Sequence, residues 1–273
     1  GGFVIPDAVF QQHLSNARVL PDIADMQTSL ASASRSQLES WSASIRHRIT
    51  ETGLAAGLLQ ALRQETQRRW PRQKLAVRSS AVGEDTIRSS FAGQLDSQLN
   101  VDSPAALEVA VKATWASLYT LRVLVYAKQN RLVVQNMGVI VQPMVAACMS
   151  GVLFTRDPTG RQPDSMLLEY VPGLGERLVS GEVTPSRLRI GRNTRSVTAE
   201  YIASGADAPD AKTISAVNEI ATLGLTLETS YGLAQDVEWC VDGNGRVILV
   251  QCRPATQHAH GRASRQYHFS NAN

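Results

Sequence analysis

Apolar positions along this chain switch between two periods, near 3.6 and near 2, and the switches divide it into elements. Gly1–Pro6 is a short apolar run closed by proline. Asp7 is placed to cap a helix in which Phe10 and Leu14 share a face. Between residues 24 and 69, Leu30, Leu38, Trp41, Ile45, Ile49, Leu54, Leu58 and Leu62 recur among Ser, Gln and Arg. That predicts two or three amphipathic helices, with Ser36 as a cap and His47 on the surface. Lys74–Ala81 reads as a short buried strand, and Leu95–Val101 alternates as a second. Ser103 followed by Pro104 opens a helix running to about Gln129, with Leu107, Val111, Leu118 and Val125 along its stripe and Trp115 in the core.

Val133–Val145 contains a strand that ends at Pro143, because proline has no N–H for a ladder. Gln142 and the backbone around Met144 and Val145 are then expected to be free for another partner. An adenine ring needs such a place, an apolar slot with backbone hydrogen bonds along one edge. Ser150–Thr155 and Met166–Tyr170 read as strands, the first followed by an Asp157-Pro-Thr-Gly turn. A glycine-rich stretch from Val171 to Pro185, bordered by Glu169 and Glu176, fits a phosphate- or metal-facing loop as well as it fits plain turns. Leu188–Tyr201 reads as a polar β-ribbon, and Ala211–Tyr231 as a helix closed by Gly232. After Thr256 the apolar period disappears.

The last patterned stretch, QDVEWCVDGNGRVILVQCRP (residues 235–254), holds two strand patterns around Asn244-Gly245, a strong hairpin signal. A two-residue type I′ turn there sets Trp239 opposite Val250, Val241 opposite Ile248 and Val237 opposite Cys252, an apolar face. The other face pairs Glu238 with Gln251 and Asp236 with Arg253. The hairpin alone supports two readings. One is a solvated face with a cross-strand ion pair. The other is a metal–phosphate platform, with adjacent carboxylates as hard ligands for Mg²⁺ and Arg253 as a planar fork for phosphate.

Composition narrows the class. The chain has 273 residues, 43% hydrophobic and 19% charged, enough for one large domain or two lobes. Its net charge of +3, with Lys and Arg scattered, gives no footprint for nucleic acid. Cys148, Cys240 and Cys252 lack metal-like spacing, and Cys240 and Cys252 fall on opposite faces of the hairpin. Reduced thiols and a cytoplasmic setting are expected. No apolar run is long enough for a membrane span, and no signal peptide is expected. The loop after Arg78, through Val82-Gly-Glu-Asp to Ser89-Ser-Phe-Ala-Gly93-Gln, is rich in Ser and Gly, as phosphate-contacting loops are, but it is not a P-loop.

Taken in order, LAVRSSAVGEDTIRSSFAGQLDSQLNV, VIVQPMV, SGVLFTRDP, GLGERLVSGEVTP, QDVEW and VQCRP resemble the nucleotide-binding domain of phosphoenolpyruvate synthase and pyruvate phosphate dikinase, which rifampicin phosphotransferase shares. The resemblance covers roughly residues 1–256. It implies an α+β, ATP-grasp-like fold of two α+β lobes with ATP bound between them. The N-terminal lobe, 1–145, would carry the phosphate-binding loop and adenine hinge. The C-terminal lobe, 146–256, would carry the Mg²⁺-binding hairpin, and 257–273 would be a linker or tail.

Residue by residue, the resemblance implies phosphate contacts for Arg78, Gly93 and Ser97. It implies adenine contacts for Gln142, Met144 and Val145, and metal binding for Asp236 and Glu238. Gln251 and Arg253 complete the site, and Arg78 and Arg253 are its expected catalytic residues. The implied cofactors are ATP and Mg²⁺. The implied activity is cleavage of MgATP with passage of a phosphoryl group to a histidine on a separate swivelling domain, then to an acceptor such as pyruvate. That domain and an acceptor-binding domain are expected partners, in cis or in trans; nucleic acid and membrane are not. The family pattern also includes a glycine-rich, lysine-bearing segment before GFV, so these 273 residues are expected to bind nucleotide with impaired or no complete turnover. Two alternatives remain at this point: an antibiotic (rifampicin-type) phosphotransferase domain, and a non-catalytic nucleotide-binding scaffold.

Overall fold

In a computed structural model of the chain, residues 1–81, 95–179 and 181–255 are described. Their contacts divide the chain into two compact units, Gly1–Met144 and Val145–Asn273. Each mixes helices with an antiparallel sheet, so the α+β class holds. No described helix is long and apolar enough to cross a membrane.

The first unit begins with β1 (Phe3–Ile5) and four helices: α1 (Asp7–Asn16), α2 (Leu20–Ser29), α3 (Arg35–Glu51) and α4 (Ala56–Arg69). Then come β2 (Leu75–Ala81), β3 (Gln98–Val101), α5 (Pro104–Ser117), α6 (Leu121–Asn130) and β4 (Met137–Pro143). The sheet order is β1-β4-β2-β3. One sheet face, carrying Ile5, Leu75, Val77, Val139 and Val141, packs into a core with Phe10, Ile45, Ile49, Val111 and Trp115.

Three local expectations shift here. The N-cap of α1 is Pro6, and Asp7 occupies the first turn. The Asp7 carboxylate instead accepts from the backbone N–H of Met137 at 2.9 Å, tying α1 to the start of β4. The cap of α3 is Ser34, which forms a capping box with Gln37. The single helix expected from Pro104 to about Gln129 is two. Ser117 and Thr120 donate their hydroxyls to the carbonyls of Thr114 and Ser117. Thr120 is extended and its carbonyl starts α6. Short hydroxyl side chains compete with the helix ladder in this way.

The second unit contains β5 (Ala147–Phe154), β6 (Ser165–Pro172), a short α7 (Glu176–Val179), β7 (Ser186–Gly191), β8 (Val197–Tyr201), α8 (Ala211–Tyr231), β9 (Gln235–Asp242) and β10 (Val247–Pro254). The six strands run β10-β9-β5-β6-β7-β8. The helix α8 is capped by Asp210 and stopped by Gly232 at φ +73°. Its Val217, Ile220 and Ala221 pack with Leu153, Leu168, Leu188, Ile190, Val237 and Trp239. All of these strand residues share one sheet face by alternation.

Two buried carboxylates hold this unit together outside its core. Asp157 accepts from the backbone N–H groups of Thr159 and Gln162 and from the Thr159 hydroxyl, with Arg189 nearby. Glu228, near the end of α8, accepts from Arg156 and from both terminal nitrogens of Arg192. Burial pushes both carboxyls up, but these donors outweigh it and hold both below their ordinary range.

Candidate functional site

The register of the β9–β10 hairpin determines which residues share the exposed face, and it differs from the expected one at the turn. Val241 pairs with Val247, Cys240 with Ile248 and Trp239 with Leu249. A type I′ turn needs positive φ at both central residues, and of the two only Gly245 has it, at +81°. Gly243, Asn244 and Gly245 form a three-residue loop closed by a hydrogen bond from the Asp242 N–H to the Arg246 carbonyl. The Asp242 carboxylate accepts from the N–H groups of Asn244 and Arg246. A side chain that satisfies the loop's own amides makes this turn competitive with the primed one.

Val250 is then an extra residue, a bulge between Leu249 and Gln251. Beyond it Glu238 pairs with Gln251, Val237 with Cys252 and Asp236 with Arg253. The bulge cancels the slip at the turn, so the four polar residues stand opposite one another as expected. Of the apolar pairs, Val237 with Cys252 holds as expected, and the two nearer the turn shift: Trp239 faces Leu249 and Val241 faces Val247.

Trp239 sets the orientation of the hairpin. It is 1% exposed on the α8 side, and the strand beside it supplies Gly151. A β-carbon on Gly151 would lie 2.6 Å from the indole and 2.1 Å from the Glu169 carbonyl oxygen. With Trp239 in the core, alternation sends Asp236 and Glu238 to the opposite face. Asp236 is buried and its Oδ2 accepts from Arg253 Nε at 2.8 Å. Glu238 and Gln251 are half-buried. Below Asp236 the strand is anchored by Gln235, whose N–H donates to the Thr155 hydroxyl at 2.8 Å and whose carbonyl accepts from the Thr155 N–H.

The donor set suits Mg²⁺. Two carboxylates at i and i+2 are supplied, and among the described residues no group of three His, Cys, Asp or Glu side chains converges. Two protein carboxylates leave most of a cation's shell to other oxygens, which fits Mg²⁺ better than Zn²⁺ or Ca²⁺.

In the first unit, β2 pairs with β4 so that Arg78 lies opposite Ile140 and Ala76 opposite Gln142. Arg78 and Gln142 are diagonal neighbours on the face away from the helices, and both are half-buried. Met144 continues that parity, one residue past the strand. Its N–H is engaged, donating to the Lys74 carbonyl at 2.8 Å, which corrects the expectation that this amide is free. Its sulfur accepts from the Asn100 N–H at 2.9 Å. Pro143 points its missing donor toward β1, whose pairing with β4 has ended at Val141. Val145 is half-buried and Ser97 exposed just before β3. Gly93 lies outside the described residues, as does most of the Ser- and Gly-rich loop.

Sequence reasoning left one charged pair on the second unit's polar face unassigned. Glu169 on β6 accepts from Arg187 Nε on β7 at 2.6 Å. Val152 pairs with both Glu238 and Glu169, so the two glutamates lie on one row across the sheet. The only local signal was that Glu169 borders a glycine-rich stretch.

Residues 1–271 match the family described as pyruvate phosphate dikinase, AMP/ATP-binding domain. The chain is 30% identical to rifampicin phosphotransferase of Bacillus subtilis, over 93% of this chain and 32% of that protein. It is 32% identical to rifampicin phosphotransferase of Streptomyces sviceus, over 93% of this chain and 32% of that protein. A probable phosphoenolpyruvate synthase of Archaeoglobus fulgidus is 31% identical over 93% of this chain and 37% of its own length. The chain thus spans about a third of the length of these curated relatives. By the extent of that match, the chain belongs to the AMP/ATP-binding domain family of pyruvate phosphate dikinase.

Proposed function

We propose that this chain is the ATP-binding part of a dikinase-type phosphotransferase, acting in the cytoplasm, and that the β9–β10 face is its metal and phosphate platform. The observation that carries this reading is the pairing of Asp236 with Arg253 and Glu238 with Gln251 on the face turned away from α8, in a chain of an AMP/ATP-binding family. Asp236 and Glu238 would hold Mg²⁺, which when bound screens phosphate charge and orients the phosphate chain. Arg253 and Arg78 offer planar forks to phosphate oxygens. Gly93 and Ser97 belong to the phosphate loop, and Gln142, Met144 and Val145 to the adenine edge. With its Met144 amide engaged, the edge offers the base the Gln142 side chain and the remaining backbone groups.

No nucleophile of this chain is required. Its residues orient the triphosphate and stabilise the developing charge, which is the larger part of phosphoryl-transfer catalysis. The phosphoryl group is passed to a histidine of a separate swivelling domain and then to an acceptor such as pyruvate. A second reading, transfer to a rifampicin-type antibiotic, is favoured by the names of two of the relatives above. The acceptor is selected outside these residues in either case. A bare scaffold would have no need for four polar partners on one ladder.

The test is calorimetric titration of this chain with ATP, with and without Mg²⁺. Binding that depends on Mg²⁺ is expected. Absence of binding in both conditions would sink the reading.

A further inference from the structure

The polar face of the second sheet carries a carboxylate that the platform does not use. Across the strands the row runs Gln251, Glu238, Val152, Glu169, Arg187. Neighbouring strands are about 4.8 Å apart, so the backbones at Glu238 and Glu169 stand about 10 Å apart. Val152 lies between them, and Phe154 and Leu167 lie one row along, an apolar floor. Arg187, on the side remote from Glu238, holds Glu169 at 2.6 Å. The Glu169 side chain keeps 19% of its surface exposed.

That placement excludes two roles. Oxygens sharing one Mg²⁺ at about 2.1 Å lie within about 4 Å of each other. Arg187 holds the Glu169 carboxylate on the side away from Glu238, so Glu169 is turned from the cation proposed for Asp236 and Glu238. A carboxylate also accepts only, and it repels phosphate. The nucleotide groups left for it are donors. A ribose presents two neighbouring hydroxyls, which match the two oxygens of one carboxylate, the pairing acidic residues make with ribose in dinucleotide folds. An apolar floor beside the carboxylate suits the sugar's carbon face.

We infer that Glu169, positioned by Arg187, accepts hydrogen bonds from the ribose hydroxyls of the bound nucleotide and selects ribonucleotides over deoxyribonucleotides. This inference depends on the nucleotide site proposed above. The experiment is titration of the chain and of Glu169→Gln with MgATP, Mg-2′-deoxyATP and Mg-inosine triphosphate. Glutamine keeps an oxygen for Arg187 but loses the charge and one acceptor. The parent is expected to bind ATP about tenfold or more tighter than 2′-deoxyATP, the factor carried by a hydrogen bond to a charged acceptor. In Glu169→Gln that ratio should fall to within about threefold of unity, with ATP affinity falling more than that of 2′-deoxyATP, which keeps only the 3′-hydroxyl contact. An unchanged ribose-to-deoxyribose ratio overturns the inference while leaving the nucleotide site standing. A change confined to the ATP-to-inosine triphosphate ratio overturns it in favour of a contact to the base. A parent that binds none of the three overturns both.

Discussion

Gly151 and Trp239 are cross-strand partners, and the indole lies where a Gly151 side chain would be. This contact fixes which face of β9 enters the core, and through alternation it determines where Asp236 and Glu238 stand. Gly151→Ala should therefore destabilise the second unit by about 2–3 kcal/mol, the upper range for an overpacked core, since one clash is with backbone. Urea unfolding followed by tryptophan fluorescence measures it. An unchanged midpoint would mean that the hairpin is not held in this way.

Asp236→Asn combined with Glu238→Gln removes both candidate metal ligands while keeping their shape. Magnesium-dependent ATP affinity should be lost, and the far-ultraviolet circular dichroism spectrum retained. Loss of the charged hydrogen bond between buried Asp236 and half-buried Arg253 should cost about 1.5–3 kcal/mol of stability. A double variant that binds MgATP as the parent does would remove the metal assignment.

Arg253→Ala separates phosphate recognition from base recognition. Only phosphates match its fork, so ATP affinity should fall about tenfold or more, with adenosine affinity nearly unchanged. Equal losses for the two ligands would point to a collapsed site instead. Competition titrations supply both values.

Acid should loosen the second unit through Asp157 and Glu228. Both carboxyls are held below their ordinary range in the folded chain. Their contribution is present above the unfolded carboxylate range, near pH 4, and is lost as pH falls through the lower folded values. Unfolding midpoints measured from about pH 6 to pH 2.5 should fall at the acid end. Asp157→Asn with Glu228→Gln should start lower and flatten that slope.

Much of the fold is legible because its signals are local. The helical period across residues 24–69, the Ser103 cap and the Gly232 stop depend on neighbours a few residues away. The polar set of the hairpin is legible for the same reason: residues two apart on a strand share a face whatever the strand pairs with. What the local pattern does not carry is register. The expected type I′ turn gives way to a three-residue loop satisfied by Asp242, and the Val250 bulge restores the pairing beyond it. Two one-residue shifts cancel, so Asp236 meets Arg253 although the turn differs.

The remaining features are long-range and were decided only by the tertiary structure. Asp7 serves the start of β4 instead of capping its own helix, because a buried N–H 130 residues away needs an acceptor. The Met144 amide is taken by Lys74, which no strand pattern specifies. Gly151 exists for Trp239, 88 residues later in the chain. Glu169 joins the polar face only because β5 inserts between β6 and β9 and aligns Val152 with both glutamates. Alternation tells which side a residue takes, but strand order and register decide what stands beside it.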